Sequence, residues 1–111
     1  MNQYDVYLAD LNPTIGREQR GKRPVLIISN SYENLLDVVT ILPITSLKKN
    51  RRVYPNEFLL KYELEKPSIV LCQQIRTISK QRLVKRLTTI DNPITRKEIM
   101  EILCLRFEEV E

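Results

Sequence analysis

Apolar and polar positions alternate from the start of the chain. Tyr4, Val6 and Leu8 interleave with Asp5 and Tyr7, which predicts a half-buried strand over 3–9. Asn12-Pro13 marks the turn out of it. A second strand is predicted over about 24–30, apolar at consecutive positions as in a central buried strand. Pro24 can open that strand, where a missing N–H costs least. Asn30 to Asn34 reads as a polar connection. Residues 38–44, VVTILPI, predict a third strand; Pro43 suggests an edge or a bulge, and Thr45 and Ser46 close it.

Lys48, Lys49, Asn50, Arg51 and Arg52 predict a loop too charged and polar to pack, followed by a fourth strand over 57–62. Lys66-Pro67-Ser68 is a turn. Residues 69–75, IVLCQQI, predict one more buried strand, ending in Arg76. Ser79 can cap a single helical turn over 80–83 by accepting from its free N–H groups. Residues 84–90 return as a strand, with Val84, Arg86 and Thr88 on one side and Lys85, Leu87 and Thr89 on the other. Asn92 as cap and Pro93 in the first turn start the one long helix, predicted to run to about 108. Glu98, Glu101, Leu105 and Glu108 line its wet side, and Ile99, Met100, Ile102, Leu103, Cys104 and Phe107 cover the rest. That arc is wider than one sheet face needs. It fits either a deeply packed helix or one that meets a second subunit. Five to seven short strands with a terminal helix favour a small, mostly antiparallel β-barrel or curled sheet.

At 111 residues the chain reads as one domain, 1–111, able to bury its own core. No apolar run is long enough to span a bilayer and no signal-peptide pattern opens the chain, so a cytoplasmic location is expected. Cys72 and Cys104 each sit in an apolar run and are expected to be buried free thiols. The sequence contains no histidine, which excludes a Ser-His-Asp triad, a His-His ribonuclease dyad and most zinc enzymes. Any acid–base chemistry must use carboxylates, Lys, Arg, Tyr or water. Residues 1–90 carry 15 Lys and Arg against 8 Asp and Glu, whereas 91–111 carry 3 against 6. The basic body suits phosphate-bearing partners or acidic protein segments.

One stretch gathers the candidate chemistry. Residues 12–30, NPTIGREQRGKRPVLIISN, hold both glycines of the protein, Gly16 and Gly21, four basic residues, Arg17, Arg20, Lys22 and Arg23, and one carboxylate, Glu18. Glycine permits close ligand approach, and a loop carried by a rigid strand is a common seat for functional groups.

In this stretch GREQRGKRPVLIIS resembles the Glu-Gln-x-Gly-x-Arg-Pro segment of MazF/PemK-type toxins, specifically the MazF-like branch. The similarity continues at ILPITS (41–46) and CQQIRTISKQRLVKRL (72–87), in the expected order. The resemblance implies a mainly β fold with helices: an SH3-like small antiparallel β-barrel of the CcdB/MazF/PemK type with a C-terminal α-helix. It further implies a homodimer, sequence-selective cleavage of single-stranded mRNA without metal or other cofactor, and inhibition by an acidic antitoxin. By the same resemblance Arg23 matches the catalytic arginine and Thr45 the catalytic threonine, and Glu18 an acidic position proposed as the base in some members. The Kid-like branch has an acidic residue where this chain has Gln73, and a His this chain lacks, so its assignments do not transfer.

The chemistry has its own logic. RNA is cut without metal when its 2′-OH attacks the adjacent phosphorus. A base must take the 2′ proton, and cations and donors must hold the charge on the phosphate. Glu18 is the best base candidate; Arg23 offers a planar fork that matches phosphate; Thr45 can donate one more hydrogen bond. Plainer readings stand beside these. Glu18 can pair with a loop arginine, Arg23 can be a solvated strand-edge cation, and Thr45 can simply end its strand. Arg17, Gln19, Arg20, Lys22, Ser46, Lys48, Lys49, Arg51, Arg52, Gln74 and Arg76 are candidate RNA-binding residues, with Tyr54 able to stack on a base. Lys80, Arg82, Lys85 and Arg86 form a second basic cluster that is either RNA-facing or merely solvated. A non-catalytic nucleic-acid-binding barrel would use the same basic surface. A CcdB-like gyrase toxin ranks last, because this chain has no Trp and ends Glu-Glu-Val-Glu.

Overall fold

The computed structural model describes residues 1–109. Seven strands and one helix follow in the order β1 (Asp5–Asp10), β2 (Lys22–Ile27), β3 (Val38–Ser46), β4 (Glu57–Leu60), β5 (Ser68–Leu71), β6 (Arg76–Ser79), β7 (Leu83–Thr89) and α1 (Pro93–Arg106). The strands pair in the order β4-β5-β3-β2-β1-β7, with β6 also on β3, and every pairing is antiparallel. The mainly β architecture with a C-terminal helix agrees with expectation. The sheet is not closed: among the described residues β4 and β7 are edges and do not pair.

β2 shows why its sequence is apolar at consecutive positions. Leu26 and Ile28 point into one core with Val6, Leu42, Ile44, Ile99 and Leu103. Val25 and Ile27 point into a second with Ala9, Leu11, Val39, Ile41 and Ile78. A strand buried on both faces has no polar side to offer. β1 departs from simple alternation. Tyr4 takes a left-handed backbone (φ 72) before the strand begins, and the β1–β7 ladder slips at Val6/Tyr7 and again at Leu8/Ala9. Asp5, expected on the wet side, is consequently buried. Its carboxylate accepts from Thr89 Oγ1 at 2.7 Å and Asn2 N at 2.9 Å, and lies 3.6 Å from Arg86 Nε.

β3 is central rather than an edge. One side pairs with β2, and the other pairs with β6 through Val38–Ile41 and with β5 through Ile44–Ser46. Leu42 and Pro43 fall in the gap between β6 and β5, so Pro43 sits where that side of β3 has no neighbour to serve. The strand predicted over 69–75 is correspondingly two strands with a corner. β5 ends at Leu71, Cys72–Gln74 form a single 3-10 turn, and the chain re-enters as β6.

α1 begins as predicted: Asn92 Oδ1 accepts from Ile94 N at 2.8 Å and Thr95 N at 3.4 Å, with Pro93 following. The helix ends at Arg106, short of the predicted 108. Its buried stripe is narrower than predicted, comprising Thr95, Ile99 and Leu103, with Met100 and Ile102 partly covered. Phe107 and Cys104 are exposed, so the deeply packed reading fails and the expectation of two buried thiols holds for Cys72 alone. Ser79 caps the short turn Lys80–Arg82 as predicted, accepting from Gln81 N.

Candidate active site

The loop between β1 and β2 is held by its own backbone, by its own Arg20, and by Arg76 of β6 and Arg82 of the turn that follows. Leu11 N donates to Gly21 O, and Gly21 N to Asn12 Oδ1, each at 3.0 Å. Gly16 and Gly21 both have positive φ, which glycine adopts at least cost. Arg20 Nη2 donates to Gly16 O at 3.0 Å. From β6, Arg76 Nη1 donates to Leu11 O at 3.5 Å; Arg82 Nη1 donates to Asp10 O and Asn12 O.

Arg23 stands on β2, partly buried, opposite Ala9. Its Nε donates to Arg20 O at 2.8 Å, and among the described residues its two terminal nitrogens have no hydrogen-bond partner. The β2–β3 ladder ends where Val25 faces Pro43; Arg23 precedes Val25 by two residues and Thr45 follows Pro43 by two. Side chains two apart on a strand share a face. Arg23 therefore joins Val25 and Thr45 joins Pro43 on one face of the sheet. Pro43 also lines a hollow of about 260 Å³ with Glu18, Gln19, Gln73, Gln74, Ile75 and Arg76.

Glu18 lies across that hollow. Its Oε1 accepts from Ile15 N at 3.3 Å, its Oε2 is 3.9 Å from Arg76 Nη1, and its side chain is 51% exposed. Its cationic neighbour is thus a strand arginine rather than one of the loop. Gln74 grips the loop from the far side: Oε1 accepts Gln19 N at 2.9 Å and Nε2 donates to Arg17 O at 3.4 Å. The structure thus assembles Glu18, Gln19, Gln74 and Arg76 around one hollow, with Arg23 and Thr45 on the adjoining strand face. Arg17 and Arg20 stay exposed on the loop, and Lys22 is exposed at the start of β2.

Other predicted residues lie elsewhere. Ser46 follows Thr45 and faces the opposite way, into a separate hollow of about 540 Å³ with Pro24, Glu63, Glu65 and Lys66. Lys48, Lys49 and Arg52 are exposed, and the Arg52 guanidinium stacks 5.3 Å from the Tyr54 ring centre, covering a face that a base would need. Arg51 is not a free cation. Its Nη1 and Nη2 each reach an oxygen of Glu57 at 2.9 Å, so the predicted unpackable loop is anchored at this point. In the second basic cluster, Lys80 reaches Asn34 O, Arg82 holds loop carbonyls and Arg86 pairs with Asp5, leaving Lys85 exposed without such a role. Another hollow, of about 900 Å³, runs beside α1 past Tyr4, Met100, Cys104 and Leu105 and is lined by none of the predicted site residues.

The sequence reading missed Glu57. This carboxylate is buried and accepts from Arg51, Tyr54 N (3.1 Å) and Gln73 Nε2 (2.8 Å). The Arg51 hydrogen bonds hold its carboxyl below the usual range, and in turn raise the arginine's own affinity for its proton. A lone Glu opening the apolar EFLL strand was the available signal.

A family model described as PemK-like, MazF-like toxin of type II toxin-antitoxin system matches residues 2–105. The chain belongs to this family. Endoribonuclease EndoA of Bacillus subtilis is 38% identical over 96 residues, spanning 84% of this chain and 83% of the relative. Endoribonuclease MazF of Staphylococcus saprophyticus is 40% identical over 95 residues, spanning 83% and 79%. The fold also matches the crystal structure of MazF from Deinococcus radiodurans with a TM-score of 0.80 at 24% identity, covering 96% of this chain and 94% of that one. This family membership agrees with the resemblance read from the sequence motifs, and the solved structure supports the fold. No helix of the described residues is long and apolar enough to cross a membrane.

Proposed function

We propose that this chain, as a single 1–111 domain, is the endoribonuclease toxin of a type II toxin–antitoxin pair, cutting single-stranded mRNA in the cytoplasm. The observation that carries the site assignment is the open fork of Arg23: one nitrogen is tied to Arg20 O while the terminal pair is left for a ligand, on the sheet face that Thr45 shares. A guanidinium held by one bond and presenting the rest is organised to receive a phosphate.

The reaction needs no metal, because the nucleophile is the substrate's own 2′-OH. Glu18, or water beside it, takes the 2′ proton. The oxygen attacks phosphorus, the bond to the 5′-oxygen breaks, and that oxygen leaves with a proton from solvent. The products are a 2′,3′-cyclic phosphate and a 5′-OH. Arg23 and Thr45 hold the charge that builds on the phosphate oxygens. One preorganised donor of this kind contributes about 10²- to 10³-fold in rate, and a positioned base about 10²- to 10⁴-fold. Unpaired RNA alone exposes its bases to the exposed cations of the 13–22 and 47–55 segments.

Two partners complete the reading. An acidic, disordered antitoxin tail would fold over the basic loop and compete with RNA for the same cations. A second copy of the chain would cover part of the apolar surface that α1 leaves outside its own core, where Cys104, Leu105 and Phe107 are exposed.

The test is cleavage of a long single-stranded RNA in EDTA by the wild type and Arg23→Ala, with product ends mapped. Discrete cuts ending in 2′,3′-cyclic phosphate, lost in a folded Arg23→Ala and blocked by one 2′-deoxy substitution at the cut, are expected. Binding without cleavage by the folded wild type would sink the reading and leave a non-catalytic RNA-binding domain.

A further inference from the structure

Glu57 has no place in the reaction above, yet its side chain is only 2% exposed. Four donors converge on it: Arg51 Nη1 on Oε1 and Nη2 on Oε2, both at 2.9 Å, Tyr54 N on Oε1 at 3.1 Å, and Gln73 Nε2 on Oε2 at 2.8 Å. An ionised carboxylate only accepts, so every one of these bonds uses its proper partner. Burying a charge is costly unless it is paired and bonded, and an apolar side chain would fill the start of β4 without that cost.

What the carboxylate joins is informative. Arg51 and Tyr54 belong to the basic segment before β4. Gln73 belongs to the 3-10 turn Cys72–Gln74, whose next residue, Gln74, holds Gln19 N and Arg17 O of the glycine-containing loop. Arg106 at the end of α1 braces the same turn, its Nη1 donating to Gln73 O at 2.7 Å. One unbroken path of hydrogen bonds and a single turn therefore runs from Arg51 to Gln19.

We propose that Glu57 is a positioning residue: through Gln73 and Gln74 it couples the basic 48–56 segment to the 13–21 loop and so sets the spacing of the two flanks of the RNA groove. The groove part of this rests on the endoribonuclease reading; the mechanical coupling of the two segments does not. Gln73 is the joint. Its Nε2 binds Glu57, while its Oε1 is buried with no hydrogen-bond partner among the described residues. Gln73→Leu therefore removes one bond and one unsatisfied oxygen together, and it leaves the Arg51–Glu57 pair in place.

The experiment compares wild type, Glu57→Gln and Gln73→Leu by two readouts. The first is amide hydrogen exchange of the RNA-free protein. The second is the cut-site distribution on a long single-stranded RNA, with kcat and KM on a short one. Both variants are expected to fold and to lose exchange protection at Gln19, whose N–H is held by Gln74 and not by either altered side chain. Because a misplacement of about 1 Å can cost on the order of 10²-fold, kcat is expected to fall by about 10- to 10²-fold, with cuts spread to new sites. Gln73→Leu carries the test should Glu57→Gln fail to fold. Unchanged protection at residues 13–21 in a folded Gln73→Leu would overturn the coupling. Lost protection with unchanged kcat and cut sites would overturn the positioning role. A folded wild type that cuts no RNA would remove the endoribonuclease reading, and exchange alone would still decide whether Glu57 couples the loops.

Discussion

The side-chain oxygen of Gln74 accepts the backbone N–H of Gln19 at 2.9 Å, joining two residues 55 positions apart in sequence. Through this bond the corner between β5 and β6 reaches the loop that carries Glu18. Gln74→Ala leaves that amide without its partner. A hydrogen bond of this kind contributes about 1 kcal/mol net, so a small loss of stability is expected in urea denaturation. The loss of RNA cleavage is expected to exceed it in proportion, because Glu18 and Arg76 flank the same hollow. Wild-type cleavage rates in folded Gln74→Ala would contradict this.

Arg23→Lys separates charge from shape. Lysine keeps the positive charge but lacks the planar fork that leaves two terminal nitrogens for phosphate. Activity of Arg23→Lys is expected to lie close to that of Arg23→Ala, about 10²- to 10³-fold below wild type, while RNA affinity is largely retained. Single-turnover cleavage alongside filter binding distinguishes the two. Activity of Arg23→Lys near wild type would show that charge alone suffices.

The Arg51–Glu57 pair makes a pH prediction with a definite sign. Glu57 is held below its reference value of 4.5 in the fold, chiefly by the Arg51 hydrogen bond. Its contribution to stability is thus full above about 4.5 and is lost as pH falls through the lower folded value. Arg51→Met leaves a buried carboxylate with fewer donors and is expected to cost on the order of 3 kcal/mol at neutral pH. The gap between wild type and Arg51→Met is expected to narrow on acidification, as the carboxyl takes up a proton first in the variant, where burial is no longer offset by Arg51, and then in wild type. Chemical denaturation at neutral and acid pH measures it; a gap independent of pH would argue against an ionised Glu57.

The two thiols are expected to behave differently. Burial pushes Cys72 up to about 11, and its side chain is enclosed by the first core. Cys104 is exposed on α1. Because the thiolate is the reactive form, a thiol reagent at pH 8 is expected to modify Cys104 in the monomer, to react more slowly there where a second copy covers α1, and to spare Cys72 until the protein unfolds. Peptide mapping of the labelled native protein reads this directly.

Asn92→Ala removes the oxygen that accepts two amides at the start of α1. A cost of about 1 kcal/mol is expected, seen as a drop in Tm of about 4 °C. Cleavage is expected to be unaffected at temperatures where the variant is folded.

Much of this molecule is local and was legible in the chain. Asn92-Pro93 announces a helix start because a cap and a proline act within one turn. Ser79 announces its short turn for the same reason. The unbroken apolar run of β2 announces a strand covered on both faces. The motifs around Glu18, Arg23 and Thr45 gave the family. What the sequence did not show depends on distant partners. The corner at Cys72–Gln74 exists because β3 changes neighbours at Leu42 and Pro43, a matter of pairing between strands far apart in the chain. Arg51, Arg82 and Arg86 look like any surface cations until Glu57, the loop carbonyls and Asp5 are brought beside them. Cys104 lies outside because a single helix resting on one sheet face covers a narrow stripe, however apolar its sequence. Propensity, capping and periodicity act over a few residues and can be read in order. Burial and ion pairing arise when segments tens of residues apart come together, so the tertiary structure alone decided which charges are free to meet a ligand.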